Sequence, residues 1–93
     1  MKVRKYRIEK QVRIDKGLGF EGVTDSETEV SSFDWGIIKN LWFDLKEGLE
    51  DKIVKKEDRD FHKEYIFYFL VEFEIEDDEE GNYKDVDIFA IEK

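Results

Sequence analysis

Ninety-three residues carry 25 acids, 16 bases and one histidine, for a net charge of −9, with 44% charged and 40% hydrophobic residues. That length holds a single compact domain, residues 1–93, and that hydrophobic content excludes disorder by composition. The lack of cysteine excludes a disulfide scaffold, a thiolate nucleophile and a cysteine-ligated zinc, and no apolar run approaches the length of a membrane span.

A soluble, cytoplasmic protein is therefore expected, with no targeting segment in its charged N-terminus. Eight Phe, four Tyr and two Trp call for a dense aromatic core, which a partner subunit could help to complete. Abundant Lys and Glu beside two Asn and one Gln matches the trend of proteins from hot environments. Charge is unevenly spread: residues 1–16 hold seven bases against two acids, a net of +5, which leaves −14 for the rest.

In chain order, residues 2–14 alternate. Tyr6, Ile8, Val12 and Ile14 share one parity, and Lys5, Arg7, Glu9, Gln11 and Arg13 the other. This predicts a strand with one wet, mostly basic face. Asp15-Lys16-Gly17 reads as a three-residue hairpin loop, followed by a short, bulged return strand through Leu18, Phe20 and Val23. The polar stretch TDSETEVSS breaks the pattern and reads as a loop, with Ser31 and Asp34 spaced as a capping box. Trp35, Ile38, Trp42, Leu45 and Leu49 recur at three and four, and Ile37 and Leu41 widen the stripe. An amphipathic helix follows, ending near Gly48 or, in the preferred reading, running on to about Val54. KKEDRD is a solvated connector.

YIFYFLVEFEIE, residues 65–76, carries the strongest strand signal. One parity is wholly apolar, while the other changes from Ile66, Tyr68 and Leu70 to Glu72, Glu74 and Glu76. After an acidic loop turning at Gly81-Asn82, residues 83–91 form a last strand. The expected fold is α+β, in the order ββαββ: a four-stranded, mainly antiparallel sheet with one long amphipathic helix packed on one face. One helix cannot cover both faces, so Ile66, Tyr68 and Leu70 are expected at a homodimer interface, with coverage by the 24–32 loop and the connector as the alternative.

Three kinds of chemistry compete for the acidic stretch. With Gly81 at the sixth place of a calcium loop, Glu76, Asp78, Glu80 and Asp87 fall at the first, third, fifth and twelfth. Glutamate at the first and fifth places, a short closing aspartate and strand flanks argue for a plain turn instead. The second reading takes Glu72, Glu74 and Glu76, about 6.8 Å apart along a strand, as a negative ladder. Asp78, Glu80, Asp85 and Asp87 would extend it into a line of charge that a basic groove accepts in place of phosphates. The bland reading has Lys5, Arg7 and Arg13 neutralising the row across strands.

Catalysis finds no support. His62 lies in a charged connector, Ser26, Ser31 and Ser32 lack an evident base, and KGLGFEG lacks the Lys-Ser/Thr of a phosphate loop. No catalytic, cofactor-binding or metal residue is expected, and no cofactor. Trp35 and Trp42 read as core, and Phe43, off the stripe, as a partner contact. The expectation is a small acidic protein-interaction module, in its sharpest form an inhibitor that mimics nucleic acid toward a basic nucleic-acid-handling complex. Its partner-binding residues would be Glu72, Glu74, Glu76, Asp78, Glu80, Asp85, Asp87 and Phe43. The alternative is an oligomeric carrier of a small molecule, held between helix and sheet or at a dimer interface. Neither reading involves direct nucleic-acid binding or a membrane.

Overall fold

The computed structural model describes residues 2–15 and 21–93, with the side chains of residues 21–25 left aside. Strands β1 (Val3–Asp15), β2 (Glu21–Ser32), β3 (Glu64–Glu76) and β4 (Glu79–Glu92) form one antiparallel sheet in the order β2-β1-β3-β4. Helix α1 (Trp35–Gly48) lies on one face, so the fold is the expected ββαββ. The proposed loop at Lys16-Gly17, with Leu18 and Phe20, lies outside the described residues.

Local chemistry accounts for most boundaries and corrects some. TDSETEVSS is the body of β2, not a loop; it pairs with β1 through two register shifts. An edge strand faces water on several sides and needs no apolar alternation, so its polar sequence hid it. Helix α1 is capped by Asp34, whose Oδ1 accepts from the backbone N–H of Gly36 (2.8 Å) and Ile37 (3.3 Å). Ser32 Oγ accepts in turn from Asp34 N–H at 3.0 Å, so Ser31 is not the cap. The helix stops at Gly48, and a 3-10 turn, Glu50–Lys52, replaces the expected continuation. Glycine's conformational freedom disfavours extension there.

Beyond that turn, Ile53 bridges Ile91, and Val54 N–H donates to Ala90 C=O at 2.7 Å, which closes part of the outer edge of β4. The β3–β4 connection is a two-residue turn at Asp77-Asp78, with φ of 53° and 65°, rather than a loop at Gly81-Asn82. Positive φ at both central residues matches the twist of a hairpin, and aspartate tolerates it better than most residues.

The apolar residues of β3 are buried on both faces of the sheet, while Val3, Tyr83, Val86 and Ile88 on β1 and β4 stay exposed. On the helix side, Ile38 and Trp42 from α1 meet Ile8, Tyr68, Leu70, Phe89 and Ile91, with Ile66 packed alongside. The rings of Trp42 and Phe89 lie 5.1 Å apart and those of Tyr68 and Phe89 5.0 Å. Ile66, Tyr68 and Leu70 are therefore the floor beneath the helix, not a face awaiting a second subunit. Both parities of this half of β3 are apolar, and the helix chose the one assigned to the dimer.

The opposite face carries Tyr65, Phe67, Phe69, Val71 and Phe73. Here the basic strand does the covering. The guanidinium of Arg7 lies 4.7 Å from the Phe73 ring centre, that of Arg13 4.7 Å from Phe69, and that of Arg59 5.3 Å from Phe67. Phe67, Phe69 and Phe73 are left only 5%, 7% and 3% exposed. Long arginine stems lie along apolar surface while their heads meet ring faces, each contact contributing about 0.5–1 kcal/mol.

The connector is pinned at the far end of β1. Asp15 N–H donates to Lys63 C=O at 3.1 Å, and His62 N–H to Asp15 C=O. Asp15, 8% exposed, sits 3.5 Å from Arg59 Nε, and Asp60 N–H donates to Tyr65 Oη at 2.5 Å.

Candidate functional site

The carboxylates read as one ladder separate onto two faces. Pairing with Ile75 already sets Glu80 on the face opposite Glu72 and Glu74, and register shifts between Phe73 and Ile75 and between Leu70 and Val71 put Asp85 there too while returning Asp87 to the helix side. Glu72 and Glu74 fall on the helix side, where Arg4 Nε (3.7 Å) and Lys2 Nζ (3.8 Å) approach them. These bases have the parity opposite to Lys5, Arg7 and Arg13, the partners expected from sequence. Glu80 lies with Ile75 on the arginine side and accepts from Arg7 Nη1 at 3.0 Å. Asp85, opposite Val71, borders a shallow cleft of about 280 Å³ with Arg7, Glu9, Gln11, Arg13 and Tyr83.

Asp87 is a joint between layers. Its Oδ2 accepts from Trp42 Nε1 at 3.0 Å and from Lys46 Nζ at 2.9 Å, which ties α1 to β4. Partial burial pushes its carboxyl up. The hydrogen bonds from Lys46, Trp42 and the Ile88 N–H outweigh that and hold it below the ordinary carboxylate value.

Glu76, Asp77, Asp78 and Glu79 form an exposed acidic tip at the β3–β4 turn, with no ion pair among the described residues. Glu76 and Glu79 face each other across the strands, an unfavourable like-charge pair. Among the described residues no group of three or more carboxylates or imidazoles converges on a metal-holding geometry. The tight turn leaves no loop of calcium-binding length.

The outward surface of α1 was largely missed from the sequence. Phe33, Trp35, Ile37, Leu41 and Phe43 are 58%, 39%, 54%, 41% and 55% exposed. Successive helical residues lie about 100° apart, so Ile37 and Leu41 flank the buried Ile38 and Trp42 on the side away from Lys46 and β4. The signal was present: a stripe widened by Ile37 and Leu41 is broader than one sheet can cover. Phe43, expected as a partner contact, is exposed on another side of the helix. It opens onto a cleft of about 530 Å³ lined also by Lys46, Glu47, Glu50 and Ile53.

The remaining candidates do not assemble. His62 is exposed in the connector with φ 66°, Ser32 serves the helix cap, and Ser26 and Ser31 lie along β2. No described helix is long and apolar enough to cross a membrane. Compared with protein-family models, with curated proteins and with solved structures, the chain matches none.

Proposed function

We propose that this chain is a small protein-interaction module that works by presenting surface to a macromolecular partner. The observation that carries this reading is exposed apolar surface on and just before α1: Ile37 and Leu41, one turn apart on one flank, and Phe33, Trp35 and Phe43 around them remain open to solvent although the apolar residues of β3 are buried. Large apolar side chains exposed next to one another, as Ile37 and Leu41 are at i,i+4, mark interaction sites. The aromatic content of this surface is typical of the residues that dominate interfaces.

The strongest form of the idea, a nucleic-acid mimic, draws less support. Glu72, Glu74 and Glu80 are met by Arg4, Lys2 and Arg7 of the opening strand, and Asp87 by Lys46. What remains is the short acidic tip rather than a long uncompensated line. A carrier is also less favoured, because Ile38 and Trp42 fill the space between helix and sheet.

The test is capture of a partner from the source cell by the tagged protein, eluted in a salt gradient. Ile37→Asp/Leu41→Asp is compared with Glu76→Gln/Asp77→Asn/Asp78→Asn/Glu79→Gln. Loss of a stoichiometric partner with the helix variant alone supports this reading. Loss with the tip variant alone, at salt-sensitive affinity, returns the mimic to first place. A folded wild-type protein that captures nothing overturns the module reading.

A further inference from the structure

The cleft beside Phe43 has the chemistry to select its occupant, and we infer that it receives a basic amphipathic polypeptide segment. The inference rests on the reading of the chain as an interaction module and names the partner's chemistry.

The cleft lies between the C-terminal half of α1 and the segment that leads to Ile53. Its volume of about 530 Å³ falls within the usual range for binding pockets, roughly 300–1,000 Å³. Phe43, more than half exposed, and the half-buried Ile53 supply the apolar surface. Three charged residues complete the lining. Lys46 is held 2.9 Å from Asp87, which leaves Glu47 and Glu50 to set the local charge, and neither makes an ion pair among the described residues. An apolar floor with two free carboxylates at its rim is complementary to an apolar anchor flanked by Lys or Arg. That is the pattern of an amphipathic segment lying in a groove. A negatively charged or wholly apolar segment would leave those carboxylates repelled or desolvated without partners.

The arrangement also accounts for Phe43 itself. A large ring at a wet helix position adds nothing to the core, but at an interface centre it is the kind of side chain whose removal weakens binding most.

The experiment titrates the isotope-labelled full chain with two synthetic 16-residue helical peptides of equal apolar face, one of Leu and Lys and one of Leu and Glu. Amide shifts and Kd are read by NMR. The Leu/Lys peptide is expected to shift resonances of residues 43–53. Phe43→Ala is expected to weaken it about tenfold or more. Glu47→Lys/Glu50→Lys is expected to transfer the preference to the Leu/Glu peptide. All these positions are solvent-exposed, and circular dichroism verifies that each variant is folded. Shifts confined to residues 76–79, an affinity indifferent to Phe43→Ala, or no shift at millimolar peptide each overturn the inference. In those cases, retained capture of a cellular partner leaves the module reading standing. Peptide binding at the cleft with no cellular partner would instead remove the module reading.

Discussion

Asp87 was read from sequence as part of an outward carboxylate row, whereas the fold uses it to fasten the helix. Replacing it with alanine therefore tests the architecture directly. The indole N–H of Trp42, in a residue only 2% exposed, would lose its acceptor. A buried donor left without a partner costs about 1–3 kcal/mol. The Lys46–Asp87 pair is well exposed on both sides, at 38% and 40%, and a pair of that kind contributes about 0.2–1 kcal/mol. Asp87→Ala should therefore cost about 2–3 kcal/mol, and Lys46→Met less than about 1 kcal/mol. Asp87→Asn keeps an acceptor for the indole and should cost about 1 kcal/mol.

Urea melts followed by circular dichroism measure all three, and for a domain of this size each kcal/mol moves Tm by about 4–8 °C. A double-mutant cycle with Trp42→Phe should give a larger coupling to Asp87 than a cycle with Lys46→Met. The depressed pKa of Asp87 adds a pH signature. A carboxyl held below its ordinary value contributes stability at neutral pH that disappears as pH falls through its folded pKa. The gap between wild type and Asp87→Asn should accordingly narrow below about pH 4. Equal costs for Asp87→Ala and Asp87→Asn, or a Lys46→Met cost matching Asp87→Ala, would refute the indole latch.

Other expectations follow from the same geometry. Asp77→Asn/Asp78→Gly supplies the residues preferred at two consecutive positive-φ positions and should raise stability by about 1 kcal/mol in denaturant melts. Asp15→Ala removes the acid facing Arg59 in a nearly closed site; it should cost about 3 kcal/mol and speed amide exchange in residues 59–63. Arg7→Ala/Arg13→Ala should uncover the Phe69 and Phe73 rings, which increased binding of a hydrophobic dye would report. Arg13→Lys, with a more strongly hydrated head and no planar stacking surface, should recover only part of that cover.

The periodic parts of this fold were plain in the sequence. Alternation in β1 and β3 and the three-four spacing of Trp35, Ile38, Trp42, Leu45 and Leu49 reported elements whose buried side is set by geometry. β2 was illegible because an edge strand of Thr, Ser, Asp and Glu has the composition of a loop. Which side of β3 takes the helix was also beyond local pattern, since Ile66/Tyr68/Leu70 and Phe67/Phe69 are equally apolar.

The candidate surface suffered from a similar limit. Parity places Glu72, Glu74 and Glu76 in one row, and the expected extension through Asp78, Glu80, Asp85 and Asp87 depends on how β4 pairs with β3. The register shifts that separate them come from strand pairing, which a single strand's sequence does not reveal. Phe43 was identified correctly as exposed because its place off the stripe is a purely helical property.

The arginine cover has a consequence for size. A sheet buried on both sides ordinarily needs a second layer of structure, with a dozen or more residues and their connections on each flank. Here three side chains stand in for that layer, two from a strand already present and one from a connector. The molecule can therefore bury the aromatic rings of β3 on both sides in under a hundred residues. Guanidinium salts, which offer the rings a dissolved copy of the same planar cation, should strip this side sooner than urea does.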